Sequence, residues 1–145
     1  MRVLIQRVSS ASVEVAGTRV AEIANGLLVF VGFFPEDAES QIEWVVDKTL
    51  ELRIFPGANN LMNVCVMDVA GGVLIVPQFT LAADITRGKR PGFSSAAPPE
   101  QAKALYAQFV AAARARYPNV STGEFGADMQ VALVNDGPVT FLLER

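Results

Sequence analysis

Apolar and polar positions along the chain follow two periods. Residues 2–8 are apolar with Gln6 and Arg7 interleaved, Val13-Glu14-Val15 and Arg19 to Ile23 flank Ala16-Gly17, and Leu27 to Phe33 form one continuous apolar run. Alternation around a glycine predicts a hairpin, and an unbroken apolar run predicts a buried strand. Asn25-Gly26 tolerates positive φ at both positions, so a second reversal is expected there, giving a three-stranded antiparallel meander. The period then changes. Ile42, Val45, Val46, Thr49 and Leu50 fall at i, i+3, i+4, i+7 and i+8 and predict a helix over about 38–51 with Asp37 as its cap.

Arg53-Ile54-Phe55 predicts a short strand ended by Pro56-Gly57, and residues 61–67 and 73–76 predict two more around a Gly71-Gly72 turn. Pro98-Pro99-Glu100 opens a second helix reaching about Arg116, with Ala102, Leu105, Tyr106, Phe109, Val110 and Ala113 on its buried face. Met129–Val134 and Val139–Leu143 predict two final strands broken by Asn135-Asp136-Gly137-Pro138. Strands before and after each of two helices imply a single α/β domain over 1–145. Its sheet would be curved and mostly antiparallel or mixed, or an open β-barrel, packed with two main helices.

Composition narrows the chemistry more than the fold. The 145 residues suit one domain, and 51% hydrophobic against 19% charged residues is a globular balance. The chain has no histidine and one cysteine, so no Ser-His-Asp triad, Cys-His dyad, His-ligated metal, intrachain disulfide or CxxC site is available. An enzyme built from this sequence would work with carboxylates, hydroxyls, amides, Lys, Arg, its own backbone or its substrate. MRVLIQRVSS lacks the apolar run of a secretory leader, and the unpaired Cys65 suits a reducing compartment, so a cytoplasmic setting is expected. The net charge of −3 argues against a duplex binder that coats phosphates everywhere, but it leaves room for a local basic patch.

Three segments break the local pattern. In Pro77-Gln78-Phe79-Thr80-Leu81 a strand ends on a residue with no N–H and is followed by an amide and a hydroxyl; this reads as a substrate-facing loop or as an ordinary strand exit. In Asn135-Asp136-Gly137-Pro138-Val139-Thr140, Gly-Pro reads either as backbone bared to a ligand, with a cis bond, or as a plain hairpin turn. Arg87-Gly88-Lys89-Arg90-Pro91-Gly92-Phe93-Ser94 would touch phosphates and stack a base on Phe93, or would be a solvated loop. Cys65 has no His partner and reads as a small buried hydrophobe, Asp84 and Asp128 are weak candidates for an acid/base pair, and Arg7 interrupts an apolar strand.

MRVLIQRVSSASVEV at the start, PQFTLAAD at 77–84 and VNDGPVTF at 134–141 resemble the D-aminoacyl-tRNA deacylase family, also called D-tyrosyl-tRNA deacylase. The likeness extends through LRIF at 52–55, MN at 62–63, GKRPGF at 88–93 and the stretch from Thr122 to Met129. The resemblance implies a homodimer in which the neighbouring subunit completes each active site. It assigns Gln78, Phe79 and Thr80 to the catalytic motif. It assigns Gly137 and Pro138, joined by a cis bond, to a dipeptide that enters the partner's pocket and selects chirality, with Arg7 holding its orientation and Met129 beside it. It brings no cofactor and no metal. The family's first motif usually begins with serine where this chain has Pro77, which puts chiral strictness in question.

The substrate would be an ester joining a D-amino acid to the 3′-terminal ribose of tRNA. Water positioned by the protein, backbone N–H groups around Phe79 and the vicinal 2′-hydroxyl would suffice for hydrolysis without a titrating side chain. Glycyl-tRNA(Ala), with no side chain to reject, would also be hydrolysed. Arg87, Lys89, Arg90 and Phe93 are the expected contacts to the acceptor end. A deacylase of relaxed selectivity and a non-catalytic tRNA-binding dimer are the two competing readings.

Overall fold

A computed structural model describes residues 1–86 and 88–145 of the chain. Its organising strand is β1 (Arg2–Val15), whose 14 residues are long enough to take two partners end to end on one edge. β2 (Thr18–Ile23) runs antiparallel to its second half, pairing Ala11 with Ile23 and Val15 with Thr18. β3 (Gly26–Gly32) runs antiparallel to its first half, pairing Val8 with Gly26 and Arg2 with Gly32. Asn25-Gly26 therefore joins two arms on the same strand and reverses nothing, which corrects the expected meander. The glycine serves a close approach instead: a Cβ on Gly26 would lie 1.9 Å from the Gly72 carbonyl oxygen.

That contact is where β6 (Gly72–Pro77) begins, parallel to β3 from Gly26↔Gly72 to Val31↔Pro77. β7 (Val120–Thr122) extends the sheet in parallel beyond β6. The Gly71-Gly72 hairpin is thus also corrected. β5 (Met62–Val64) pairs with β4 (Phe55–Pro56) in a separate two-stranded sheet, and turns follow it where a longer strand over 61–67 was expected. Parallel strands in the middle of the sheet are buried on both faces, which explains the unbroken apolar runs of β3 and β6.

β8 (Met129–Glu144) lies along the other edge of β1 for its whole length, from Val15↔Met129 to Arg2↔Glu144. The expected pair of strands separated by a turn is one strand that never changes direction. Its register jumps from Val8↔Asn135 to Gln6↔Thr140, so Asp136 to Val139 stand opposite Arg7 alone and bulge out of the ladder. Both faces of β1 are buried, and a second register shift, between Val8 and Ser10, puts Ala11 and Val13 on the face of Val8. Val3 and Ile5 join the larger core, and Val8, Ala11 and Val13 join a smaller one with Ile23, Leu28, Leu74 and Val76. The result is a mixed sheet of six strands among the described residues, curled toward a barrel.

Two helices cover the larger core. α1 (Glu39–Glu51) buries the predicted stripe of Ile42, Val45, Val46, Thr49 and Leu50. α2 (Pro99–Arg116) buries Ala102, Leu105, Tyr106, Phe109 and Ala113, with Val110 packed partly against them. Ala38 rather than Asp37 takes the N-cap position of α1, and the Gln41 side chain accepts its N–H at 2.7 Å. Asp37 is buried one residue earlier, where it accepts the Phe34 N–H at 2.8 Å and the Met1 ammonium at 2.6 Å. Among the described residues no helix is long and apolar enough to cross a membrane.

The Gly26–Gly72 contact yields a direct stability prediction. Gly26→Ala forces two backbones apart at the start of the β3–β6 ladder and is expected to destabilise the protein by about 3 kcal/mol. A urea midpoint equal to wild type would contradict this reading of the β3–β6 junction.

Candidate active site

Pro77 closes β6 at the edge of the ladder, and the next N–H, that of Gln78, donates back to the Val31 carbonyl at 2.8 Å. Residues Phe79–Ala82 then wind into a single 3₁₀ turn, closed by Leu81 N–H to Gln78 O at 3.2 Å and Ala83 N–H to Thr80 O at 3.1 Å. The first donors of such a turn have no acceptor within it. Neither the Phe79 nor the Thr80 N–H finds one elsewhere among the described residues. Gly32 on β3 lets the turn sit this close, because a Cβ there would lie 2.7 Å from the Gln78 carbonyl oxygen. The Gln78 side-chain amide donates to the Thr80 hydroxyl, and no acid or amine side chain among the described residues hydrogen-bonds to that hydroxyl.

The turn forms one wall of a cleft of about 730 Å³. Val76 to Phe79 line one side. Phe93, Ser94 and Ala96 to Pro99, leading into α2, line a second; Phe125 to Met129 and Val131, entering β8, line the third. Phe79 and Phe93, both part of its lining, pack against each other with ring centroids 5.1 Å apart, and both rings are substantially exposed. The walls are tied together behind the cleft. The Ser95 hydroxyl donates to Ala82 O at 2.6 Å, and the buried Tyr106 hydroxyl bridges Ile75 O at 3.0 Å and Gly123 O at 3.3 Å. Burial pushes the Tyr106 phenol above its ordinary value of 10.0, so it remains a donor across the neutral range.

The remaining candidates lie outside this cleft. Gly137 and Pro138, joined by a cis peptide bond, sit on the exposed bulge of β8 and do not line the protomer's own cleft. Arg7 is mostly buried beneath them, with Nη1 donating to Ile54 O. Its Nε lies 2.8 Å from Asp136 Oδ2 but off the line of its N–H, so the contact is an ion pair without an aligned hydrogen bond. Asn135 clips the base of the bulge, its Nδ2 donating to Arg7 O at 2.9 Å and Val139 O at 3.2 Å. Asn135 belongs to the 134–141 motif, and the family resemblance gives it no role of its own. The spacing of an Asn one residue before an acidic-Gly-Pro stretch was the available signal.

Of the other sequence candidates, Met129 and Phe93 line the cleft, and so does Asp128. Asp84 does not; the Thr86 hydroxyl at 2.6 Å and amide at 2.9 Å hold its carboxyl below the ordinary carboxylate value, and its backbone pairs with Gly92. That pairing staples the segment carrying the basic residues just ahead of Phe93. Lys89 and Arg90 are exposed on it, and Arg87 lies outside the described residues. Cys65 is buried away from the cleft. Phe125, Gly126 and Ala127, within the stretch of family likeness but without a role implied by it, form a further wall.

Residues 4–144 match the family model described as D-Tyr-tRNA(Tyr) deacylase. The chain is 56% identical to a D-aminoacyl-tRNA deacylase of Ectopseudomonas mendocina over 99% of both chains, and 51% identical to one of Pelobacter propionicus over 100% of both. A solved structure titled c-Myc DNA Unwinding Element Binding Protein superposes with a TM-score of 0.95 at 39% identity, covering 100% of this chain and 99% of that one. One of a probable eukaryotic D-amino acid tRNA deacylase shares the fold at a TM-score of 0.88 and 18% identity, covering 98% and 97%. A family match across nearly every residue, with relatives aligned from end to end, places this chain in the D-Tyr-tRNA(Tyr) deacylase family.

Proposed function

We propose that the protein hydrolyses the ester linking a D-amino acid to the 3′-terminal ribose of tRNA. The observation that carries this reading is the pair of unclaimed N–H groups at Phe79 and Thr80 beside a cleft with aromatic walls. Two free amides suit the oxyanion of an attacked ester. The rings of Phe79 and Phe93 suit the base of a terminal nucleotide, with Lys89 and Arg90 nearby in sequence for its phosphates. An aminoacyl ester is already activated, and its vicinal 2′-hydroxyl would supply the assistance that no acid or amine side chain hydrogen-bonded to Thr80 offers among the described residues.

Chirality would be read by a second copy of the chain. Gly137 and Pro138 are exposed and absent from their own cleft, while Leu133, Val134, Phe141 and Leu142 leave β8 apolar and exposed on either side of them. Pairing of two protomers through this face would deliver the bulge of one into the cleft of the other. Its carbonyls would hold the substrate ammonium and leave no space for an L side chain, whereas a D side chain would point to solvent. Glycyl-tRNA(Ala) would pass, having no side chain to exclude.

The deciding measurement is deacylation of matched D-, L- and glycyl-tRNAs, with sedimentation to read the dimer. Rapid loss of D- and glycyl esters with L-esters spared is the expected result. Equal turnover of L-esters would favour relaxed selectivity, which Pro77 in place of the usual serine makes a specific alternative. Retention of tRNA without turnover would favour a binding protein. A substrate ending in 2′-deoxyadenosine should be hydrolysed poorly. Thr80→Ala should keep substantial activity; a loss of roughly 10⁴-fold would make Thr80 a nucleophile instead.

A further inference from the structure

The carbonyl end of the 3₁₀ turn is held as deliberately as its amide end is left free. Arg2, at the opposite end of the chain from β8's terminus, reaches the back of the turn and donates from Nη1 to Leu81 O at 2.9 Å. Its Nε is fixed by Glu144 Oε1 at 2.6 Å, and its guanidinium lies over the Phe34 ring, 5.4 Å from the centroid. The next carbonyl, Ala82 O, is taken by the Ser95 hydroxyl. A 3₁₀ turn of four residues has little beyond its own short-range hydrogen bonds and such external partners to fix its orientation.

We propose that Arg2 is a positioning residue for the candidate oxyanion site: it pins the back of the turn so that the Phe79 and Thr80 amides keep one orientation beside the cleft. This rests on the reading of that cleft as an ester-hydrolysing site. Stability is a poor explanation for the arrangement. Arg2 and Glu144 side chains are 37% and 57% exposed, and exposed ion pairs contribute little to folding. A planar guanidinium is nonetheless suited to bridge a carboxylate and a carbonyl at once, a task a single ammonium does less well. Glu144 also belongs to β8, the strand that carries Gly137 and Pro138, so one side chain joins the turn beside the protomer's own cleft to the strand whose bulge would serve its partner.

The test compares wild type, Arg2→Ala and Arg2→Lys on D-aminoacyl-tRNA. Arg2→Ala is expected to lower kcat about tenfold with KM within about twofold and the melting temperature nearly unchanged, because misplaced donors act on the transition state. Arg2→Lys should recover part of the loss. Wild-type kcat in Arg2→Ala would overturn the inference, as would a loss that follows the melting temperature and that lysine does not relieve. A readout independent of turnover is amide hydrogen exchange at Leu81 and Ala83, whose N–H groups close the turn; it should quicken about tenfold in Arg2→Ala. Unchanged exchange would overturn the clamp even if the wild type proved inactive on the ester, whereas inactivity with quickened exchange would sink only the ester reading. Should Arg2→Ala fail to fold, Glu144→Gln, which loosens the same guanidinium from outside, should reduce kcat about threefold and quicken the same amides; no change in either would overturn the inference.

Discussion

Phe79→Pro is expected to turn over D-aminoacyl-tRNA about 10²–10³-fold more slowly than Phe79→Ala, the size of effect that follows removal of one oxyanion donor. The comparison isolates a main-chain atom. Both substitutions delete the aromatic ring and its contact with Phe93, so ring loss cancels between them. Only proline also deletes the N–H. That N–H has no acceptor among the described residues, so its removal breaks no hydrogen bond of the fold. Proline is also tolerated at the first position of a helical turn, where its φ is already suitable. The two variants should therefore melt within about 1 kcal/mol of one another while differing in kcat. Equal kcat values would show that the Phe79 amide is not used, and the oxyanion assignment would then fall to Thr80 or be abandoned.

The second large effect concerns chirality. Arg7 and Asn135 hold the bulge of β8 by independent contacts, one to Asp136 from beneath and one across the neck to Val139 and Arg7 O. Contacts of this type, one a half-exposed ion pair and one a side-chain amide, contribute up to about 1 kcal/mol each, where 1.4 kcal/mol is a factor of ten. An Arg7→Ala, Asn135→Ala double variant is accordingly expected to lose about 20-fold in D-over-L preference. Hydrolysis of the D-ester should stay within about tenfold of wild type, since neither residue lines the cleft. A double variant that still rejects L-esters as wild type does would show that the bulge does not read chirality. A uniform loss on both esters would place these residues in the general support of the fold.

Legibility of the fold followed the range of the interaction. The buried stripe of α1 was readable residue by residue because the spacing of Ile42, Val45, Val46, Thr49 and Leu50 is set within one helix. The expected reversals at Asn25-Gly26, at Gly71-Gly72 and at Asn135 to Pro138 do not occur. In each, local chemistry permits a turn and a distant strand decides otherwise. Gly26 is small because its backbone meets that of Gly72, Gly72 is small because Ile23 packs on it, and Gly137-Pro138 interrupts a ladder that resumes in the same direction. The candidate site was marked in a similar measure. Gln78, Phe79 and Thr80 were marked by the broken strand end and by family resemblance, whereas Asn135 and the Phe125 to Ala127 wall act through contacts no local pattern announces.

The sequence alone determined the alphabet of elements and the kind of chemistry open to them. Hydrophobic period set which segments coil and which extend, and the absence of histidine removed triads, dyads and imidazole-ligated metals from the available chemistry. Only the tertiary structure decided which strands pair, in which direction, and that Gly137 and Pro138 stand outside the cleft that Phe79 and Met129 line. The physical reason is separation. Periodicity reports contacts a few residues apart, but the ladder joining Arg2 to Glu144 spans 142 positions, and its register depends on the packing of both cores together.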